Sequence, residues 1–365
     1  MTQRATLRGA ARTDISQRAD VLICGASFAG LAVARELKGS GADVLVVDRY
    51  EIGERATSAC AAPTPWLHAM GVQSAIRQEI PCMAFHTPHG SARFRLPWSW
   101  SSFDYKQLCH ALYEQTDARF EIAKVEARDG DTVITDRGNL SSPLIVDALG
   151  WRRVLGPGAN VQPPAAAISR GLEVHPHGAS TDLDIWIDRS LIRHGYAWSV
   201  PADGEQRIGV GSYQPRDHVK EPTKDITRRL ARDAVRYQGN WFPHKLRPAA
   251  QDGVFFAGDS AGHCLPLSGE GIRTAFYFGI AAGRELRAVI DETKTREEAL
   301  HDYGAFSHAH KPAFTYALAL QRAIPRLPPR ALTALLALMG RERPCRRAFD
   351  WYLRVASPAF ADAPR

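Results

Sequence analysis

The chain has 365 residues, 45 % of them hydrophobic, which is enough for one large or two medium domains with a full core and excludes global disorder. Its formal net charge is +7, most of it from arginine, but the basic residues form no helix-turn-helix, zinc-finger or RNP-type signature, which argues against a nucleic-acid partner. Six scattered cysteines without a CxxC pair predict no disulfide framework and a reducing, cytoplasmic setting.

In chain order, "MTQRATLRGAARTDISQR" is Arg-rich, lacks the apolar segment of a signal peptide, and is expected to be a flexible basic arm over 1–18. "ADVLICG" predicts a buried strand, "AGLAVARELKGSG" a helix that stops at Gly39 and Gly41, and "ADVLVVDR" a second strand. Such a βαβ unit implies a parallel sheet. Between strand and helix lie Gly25, Ala26, Ser27, Phe28, Ala29 and Gly30. Small residues there let the backbone approach a pyrophosphate, and the helix start offers unpaired N–H groups. Asp48, followed by Arg49, ends the next strand at the distance expected of a carboxylate that binds a ribose hydroxyl. Ser27 stands where a second glycine is usual.

"FDYKQLCHALYEQ" reads as a helix, and residues 119–150 as strands joined by a DG turn and a second bend. From Gly171 to Tyr213 the alternation is short and repeated, which predicts antiparallel sheet. Tyr196 and Trp198 share one face of a strand there, the face expected to wall a substrate pocket, with Pro201 nearby. "GVFFAGD" returns to a buried parallel-type strand and places Asp259 just past its end. The loop that follows carries Gly262, Pro266, Gly269 and Gly271. Ile272, Ala275, Phe276, Gly279, Ile280, Gly283 and Leu286 then recur at helical spacing. The tail from about Glu297 is helical and Pro-punctuated, and its "ALTALLALM" run is too short to span a bilayer. The histidine pairs "HTPH" and "HPH" lack the further ligands of a tetrahedral site, so no metal is expected.

The second glycine turn resembles the FAD-binding "GD…P…GEGI" signature of the large flavoprotein family that includes aromatic hydroxylases, geranylgeranyl reductases, flavin-dependent halogenases and lycopene cyclases. "LIVDALGWRR", with Asp147, Ala148, Gly150 and Arg153, resembles that family's third FAD-region motif, and the likeness runs from about Ala19 to Arg287. Within the family the chain most resembles the geranylgeranyl reductase group. That group carries a Tyr-x-Trp-x-Phe-Pro motif, matched here by Tyr196, Trp198 and Pro201 with Val200 for Phe, and a cysteine near the flavin, matched by Cys60 with Ala61 for the usual glycine. Tyr105 stands where many members have Arg. "WSWSSF" resembles the halogenase Trp-x-Trp-x-Ile-Pro motif without its Ile-Pro.

The resemblance implies an α/β fold: a three-layer FAD-binding domain with a parallel sheet (19–85, 104–155 and 246–295), interrupted by an antiparallel substrate domain (86–103 and 156–245) and followed by a helical C-terminal region (296–365). It implies FAD held by Gly25, Ser27, Phe28, Ala29, Gly30, Asp48, Arg49, Asp259, Gly262, Pro266, Gly269, Gly271 and Ile272. The implied activity is that of an oxidoreductase on an apolar, isoprenoid-like or aromatic substrate, with Cys60 and Trp198 as catalytic candidates. Hydride transfer between flavin and a carbon–carbon double bond is the first expectation. The alternatives are a monooxygenase using O2 and NAD(P)H, a halogenase, or a non-catalytic FAD-binding partner protein. No second dinucleotide motif is present, so NAD(P)H is expected to act transiently or a separate carrier to supply electrons. The Arg-rich C-terminal helices read first as an ordinary packed helical cap with a solvated basic rim, with peripheral contact with an anionic membrane as the alternative.

Overall fold

The structure is a computed structural model that describes residues 13–56, 59–157 and 165–363. Residues 1–12 of the expected arm, and most of the "GPGANV" bend, lie outside the described residues. From Thr13 the chain is engaged: Ile15 is buried, and β1 (Gln17–Arg18) enters a sheet. The predicted unit follows as β2 (Val21–Cys24), α1 (Phe28–Glu36) and β3 (Val44–Asp48). β4 (Ala61–Pro63) and α2 (Thr64–Ala69) lead into a long hairpin, β5 (Ile76–Thr87) and β6 (Gly90–Phe103). Next come α3 (Tyr105–Tyr113), β7 (Arg119–Ile122), and the meander β8 (Val125–Asp129), β9 (Thr132–Thr135) and β10 (Gly138–Ser141). β11 (Leu144–Asp147) closes the first half.

The second half opens with β12 (Ile168–Val174), β13 (Leu183–Trp186), β14 (Gly195–Pro201), β15 (Gln206–Ser212), α4 (Lys220–Arg229) and β16 (Gln238–Pro243). β17 (Ala250–Gln251) and β18 (Val254–Phe256) precede the long α5 (Ile272–Ile290). The tail is α6 (Arg296–Ala309), α7 (Lys311–Ala323), α8 (Pro329–Met339), α9 (Glu342–Arg354) and α10 (Ala359–Asp362).

Among the described residues the strands form three sheets. One has the order β17-β18-β11-β2-β3-β7 and is parallel except at β17. Its strands are short apolar runs because both faces are covered; Val21, Leu22, Ile23 and Cys24 are all buried. On one face α1 and α5 cross closely, and small residues make this possible. A Cβ on Gly279 would sit 2.7 Å from the Ala29 carbonyl oxygen, and one on Gly283 2.6 Å from the Glu36 Cβ. A second, small sheet, β1-β10-β9-β8, gathers strands that the sequence reading left undivided.

The third sheet, β16-β12-β15-β14-β13-β5-β6-β4, holds the strands expected to form the substrate sheet. It begins earlier than residue 86: β4 and all of β5 from Ile76 belong to it. Pro81 interrupts the pattern of β5, and the ladder accommodates it at a register shift between Ile80 and Cys82. The six cysteines are free and buried.

Candidate functional site

A single cavity of about 1430 Å³ runs from the first glycine turn, past the second, to the space between the substrate sheet and α8–α9. That exceeds the usual few hundred to about 1,000 Å³ of a small-ligand pocket, which leaves room for more than one small molecule.

At the near end, Gly25 has φ +116°, and a Cβ there would sit 2.3 Å from the Ala148 carbonyl oxygen. A Cβ on Gly30 would sit 1.9 Å from the Gly25 carbonyl oxygen. Both glycines are steric requirements of the turn; neither lines the cavity, whereas Ala26, Ser27, Phe28 and Ala29 do. Ser27 is extended at φ −122°, a conformation open to any residue, so the departure from glycine is tolerated. Its hydroxyl accepts a 3.0 Å hydrogen bond from Tyr105 Oη. Asp48 accepts from the backbone N–H of Ala26 (2.9 Å) and of Tyr50 (3.0 Å). Burial raises its pKa, and those bonds oppose the rise. Arg49 lines the same end, its guanidinium 4.7 Å from the Tyr50 ring centre, and Lys124 and Arg152 add positive charge that the sequence reading missed.

The second turn approaches from the end of β18, which β11 separates from β2. Gly258 has φ +63°, and Asp259 lines the cavity. Its carboxylate has no hydrogen bond or ion pair with the described residues. Burial pushes its pKa up to about 6, with Arg247 drawing it down. Gly269, Gly271 and Ile272 also line the cavity, beside Glu270, which is locked to buried Arg273 (2.5 Å). Gly262 and Pro266 do not. Gly262 is a packing glycine: a Cβ would meet the Lys245 carbonyl oxygen at 2.1 Å. Asp147 does not line the cavity either; it ties β11 to the second turn through Ser260 Oγ (2.6 Å). Arg153 braces the same turn, donating to the Ser260 carbonyl (2.8 Å) and lying 3.4 Å over the Phe256 ring.

The substrate sheet roofs the middle of the cavity. Tyr196 and Trp198 face it, as alternation requires, while Pro201 does not line it. Tyr196 Oη donates to the Ser268 carbonyl and Tyr213 Oη to that of Leu267 (2.7 Å), which pins the second turn to the roof. Trp198 lies flat because its neighbours are glycines. Cβ atoms on Gly209, Gly171 and Gly211 would meet its ring at 2.3, 3.3 and 3.3 Å. The register places Trp198 opposite Gly209, Gly209 opposite Glu173, and Glu173 opposite Gln238, one row across β14, β15, β12 and β16. Glu173 accepts from Trp198 Nε1 (3.1 Å), Gln238 Nε2 (3.2 Å) and His175 Nε2 (2.9 Å). Burial pulls His175 down, but Glu173 and Glu205 together hold it up at about 9.

Glu173 was invisible as a site residue in the sequence. Its place two positions after Gly171 was the one available sign, and it needs the register to be read. The other expected catalytic residue moves out: Cys60 is buried with φ +51° and does not line the cavity, although Ala59 and Ala61 do. Its carbonyl is held by Arg207 Nη1 (2.8 Å) and the Phe103 N–H (2.9 Å). The chamber beyond Trp198 is apolar, walled by Met83, Phe85, Phe94 and Trp100 from the sheet and by Leu336 and Phe349 from the helices.

No family model matches the chain. It is 23 % identical over 333 residues to digeranylgeranylglycerophospholipid reductase 3 of Methanosphaera stadtmanae, covering 80 % of this chain and 83 % of that protein. It is 26 % identical over 321 residues to menaquinone reductase of Mycolicibacterium smegmatis, covering 74 % and 76 %. Among solved structures, a geranylgeranyl bacteriochlorophyll reductase-like protein of Thermoplasma acidophilum superposes with a TM-score of 0.81 at 15 % identity, over 95 % of this chain and 98 % of that one. PqsL of P. aeruginosa, solved in complex with 2-aminobenzoylacetate, superposes with a TM-score of 0.69 at 19 % identity, over 88 % and 99 %. The matches are distant but consistent: they are to flavin-dependent reductases and monooxygenases, what the chain shares with the solved structures is the fold, and no single family is singled out.

Proposed function

We propose that the chain binds FAD along the two glycine turns and serves hydride transfer between flavin and a carbon–carbon double bond of an apolar, isoprenoid-like substrate. The observation that carries this is the continuity of the cavity from a diphosphate-type turn, past the partnerless carboxylate of Asp259, into an apolar chamber. The residues fit the cofactor. Ala26–Ala29 present backbone to a pyrophosphate, Asp48 suits the adenosine ribose, and Asp259 is an acceptor in want of a hydroxyl donor. FAD, when bound, supplies the redox chemistry at its isoalloxazine ring. This chain's residues orient and enclose it. Tyr196 and Tyr213 fasten the second turn, Trp198 walls the substrate side, and the chamber keeps water away from the reacting atoms. The names of the two sequence relatives, reductases of a polyprenyl lipid and of a prenylated quinone, support a long apolar substrate.

A second reading, oxygen-dependent hydroxylation of an aromatic ring with NAD(P)H as donor, draws on one observation: the flat indole of Trp198 over its glycine floor suits a planar ring. The test begins with the purified protein. Acid precipitation should release FAD into the supernatant, and a protein that can neither yield nor take up FAD refutes both readings. The flavin is then reduced anaerobically with NADH, NADPH or dithionite and mixed with menaquinone, with a geranylgeranyl phospholipid, or with phenols and oxygen. Reoxidation by a polyprenyl compound without oxygen supports the first reading, and oxygen consumption coupled to a phenol supports the second.

A further inference from the structure

The α8 helix departs from the pattern of a soluble surface helix, whose solvent face is polar. Its inward side is ordinary: Leu332 is buried, and Leu336 and Met339 pack against the sheet. Its outward side consists of Ala331, Ala334, Leu335, Ala337 and Leu338, all exposed, and the helix's one charged residue is Arg330 at its start. Leu335 and Leu338 are 43 % and 49 % exposed, and Tyr316 of α7 and Trp351 of α9 extend the apolar surface at 54 % and 36 %. Scattered exposed apolar side chains need no explanation, but a contiguous patch with a charged rim does.

The rim is strongly basic. Residues 322–354 hold eight arginines, all exposed, against two acids, Glu342 and Asp350, a net +6 where the whole chain carries +7. Nearly all of the protein's excess charge therefore lies in the segment that carries this patch. The patch is also the mouth of the cavity. Tyr316, Leu335 and Trp351 are exposed and yet line it, as does Arg347, and the rings of Tyr316 and Trp351 meet edge-on at 5.5 Å across the opening.

We infer that α8 and the arginines around it dock the protein onto an anionic phospholipid bilayer, with α8 lying in the headgroup plane and the cavity mouth facing the lipid. An apolar helix face rimmed by arginine matches the two layers of such a surface: acyl chains take the leucines and lipid phosphates take the guanidinium groups. No described helix is long and apolar enough to cross a membrane, so the contact is peripheral. The docking stands on the surface alone. The corollary that an apolar ligand passes from the bilayer directly into the chamber rests on the proposed function.

Vesicle flotation tests it with the full chain. Phosphatidylcholine vesicles are compared with vesicles that also contain phosphatidylglycerol, at low and high salt. The wild type is expected to float with the anionic vesicles only, and to be released by salt. Arg341→Glu with Arg343→Glu and Arg346→Glu should lower binding at least about tenfold, since each arginine near the surface adds attraction. Leu338→Ser with Ala334→Ser, which leaves every charge and every cavity-lining residue in place, should lower it by a smaller factor, and unchanged thermal melting shows that the variants are folded. Equal behaviour with the two vesicle types overturns the inference. So does a dimer in solution that Leu338→Ser dissociates while flotation is unaffected, because the patch is then covered by a second copy of the chain. FAD content is measured on the same samples, so loss of the cofactor reading leaves the docking result standing.

Discussion

Asp259 permits a quantitative test because its side chain has no hydrogen bond or ion pair with the described residues. Burial holds its pKa at about 6 against the pull of Arg247. The group is then about nine-tenths ionised at pH 7 and about one-tenth ionised at pH 5. A ribityl or ribose hydroxyl donates its hydrogen bond to the ionised form. The observed dissociation constant for FAD should therefore rise about tenfold from pH 7 to pH 5, or about 1.4 kcal/mol. The sign for stability without FAD is the reverse. The folded value lies above the unfolded value of about 4, so the group's contribution is present below about pH 4 and is lost as pH rises through about 6. Titration of the apo-protein with FAD, followed by flavin fluorescence across this range, measures the first effect, and melting of the apo-protein measures the second. Asp259→Asn should weaken FAD binding at pH 7 by about 1–3 kcal/mol and flatten the profile. A flat wild-type profile, or an Asn variant that retains the wild-type slope, would refute the assignment of this carboxylate to the cofactor.

Trp198→Ala should keep FAD and lose turnover of the apolar substrate, read from flavin content and reoxidation rate; joint loss of flavin and thermal stability would mark Trp198 as core instead. Gly209→Ala should reproduce that loss with the Trp198 side chain still present, because its Cβ would meet the indole at 2.3 Å and displace it, and a shifted indole emission is the readout. Glu173→Gln should lower the titration of His175 from about 9 toward the ordinary histidine value, seen by NMR. Because the folded value of His175 is raised, its stabilisation is present below about pH 6.5 and disappears as pH rises through about 9, and the variant, in which Glu205 still faces His175, should show a smaller loss. Gly30→Ala should cost roughly 1–3 kcal/mol or prevent folding, since the new Cβ would overlap the Gly25 carbonyl oxygen, and thermal unfolding measures it.

Much of the parallel-sheet half was legible in the chain because its signals are local. β2, the turn from Gly25 to Gly30, α1, β3 and Asp48 follow one another within about thirty residues, and each is specified by apolar runs, small residues at fixed offsets and a terminal acid. The buried face of α5 was readable for the same reason: its seven predicted positions recur at helical spacing, and all are buried. What the sequence did not determine depends on strand order and register. The row that joins Trp198 to Glu173 and Gln238 draws on β14, β15, β12 and β16, whose order in the sheet is not their order in the chain. Gly209 and Gly171 read as strand weaknesses until the indole is seen lying on them. Cys60 shows the converse. It stands at the expected sequence position, but Arg207 and the Phe103 N–H fix its backbone with the residue buried and out of the cavity. Alternation alone could place Tyr196 and Trp198 on one face; only the packing of the sheet against the second glycine turn and α8–α9 decided what that face encloses.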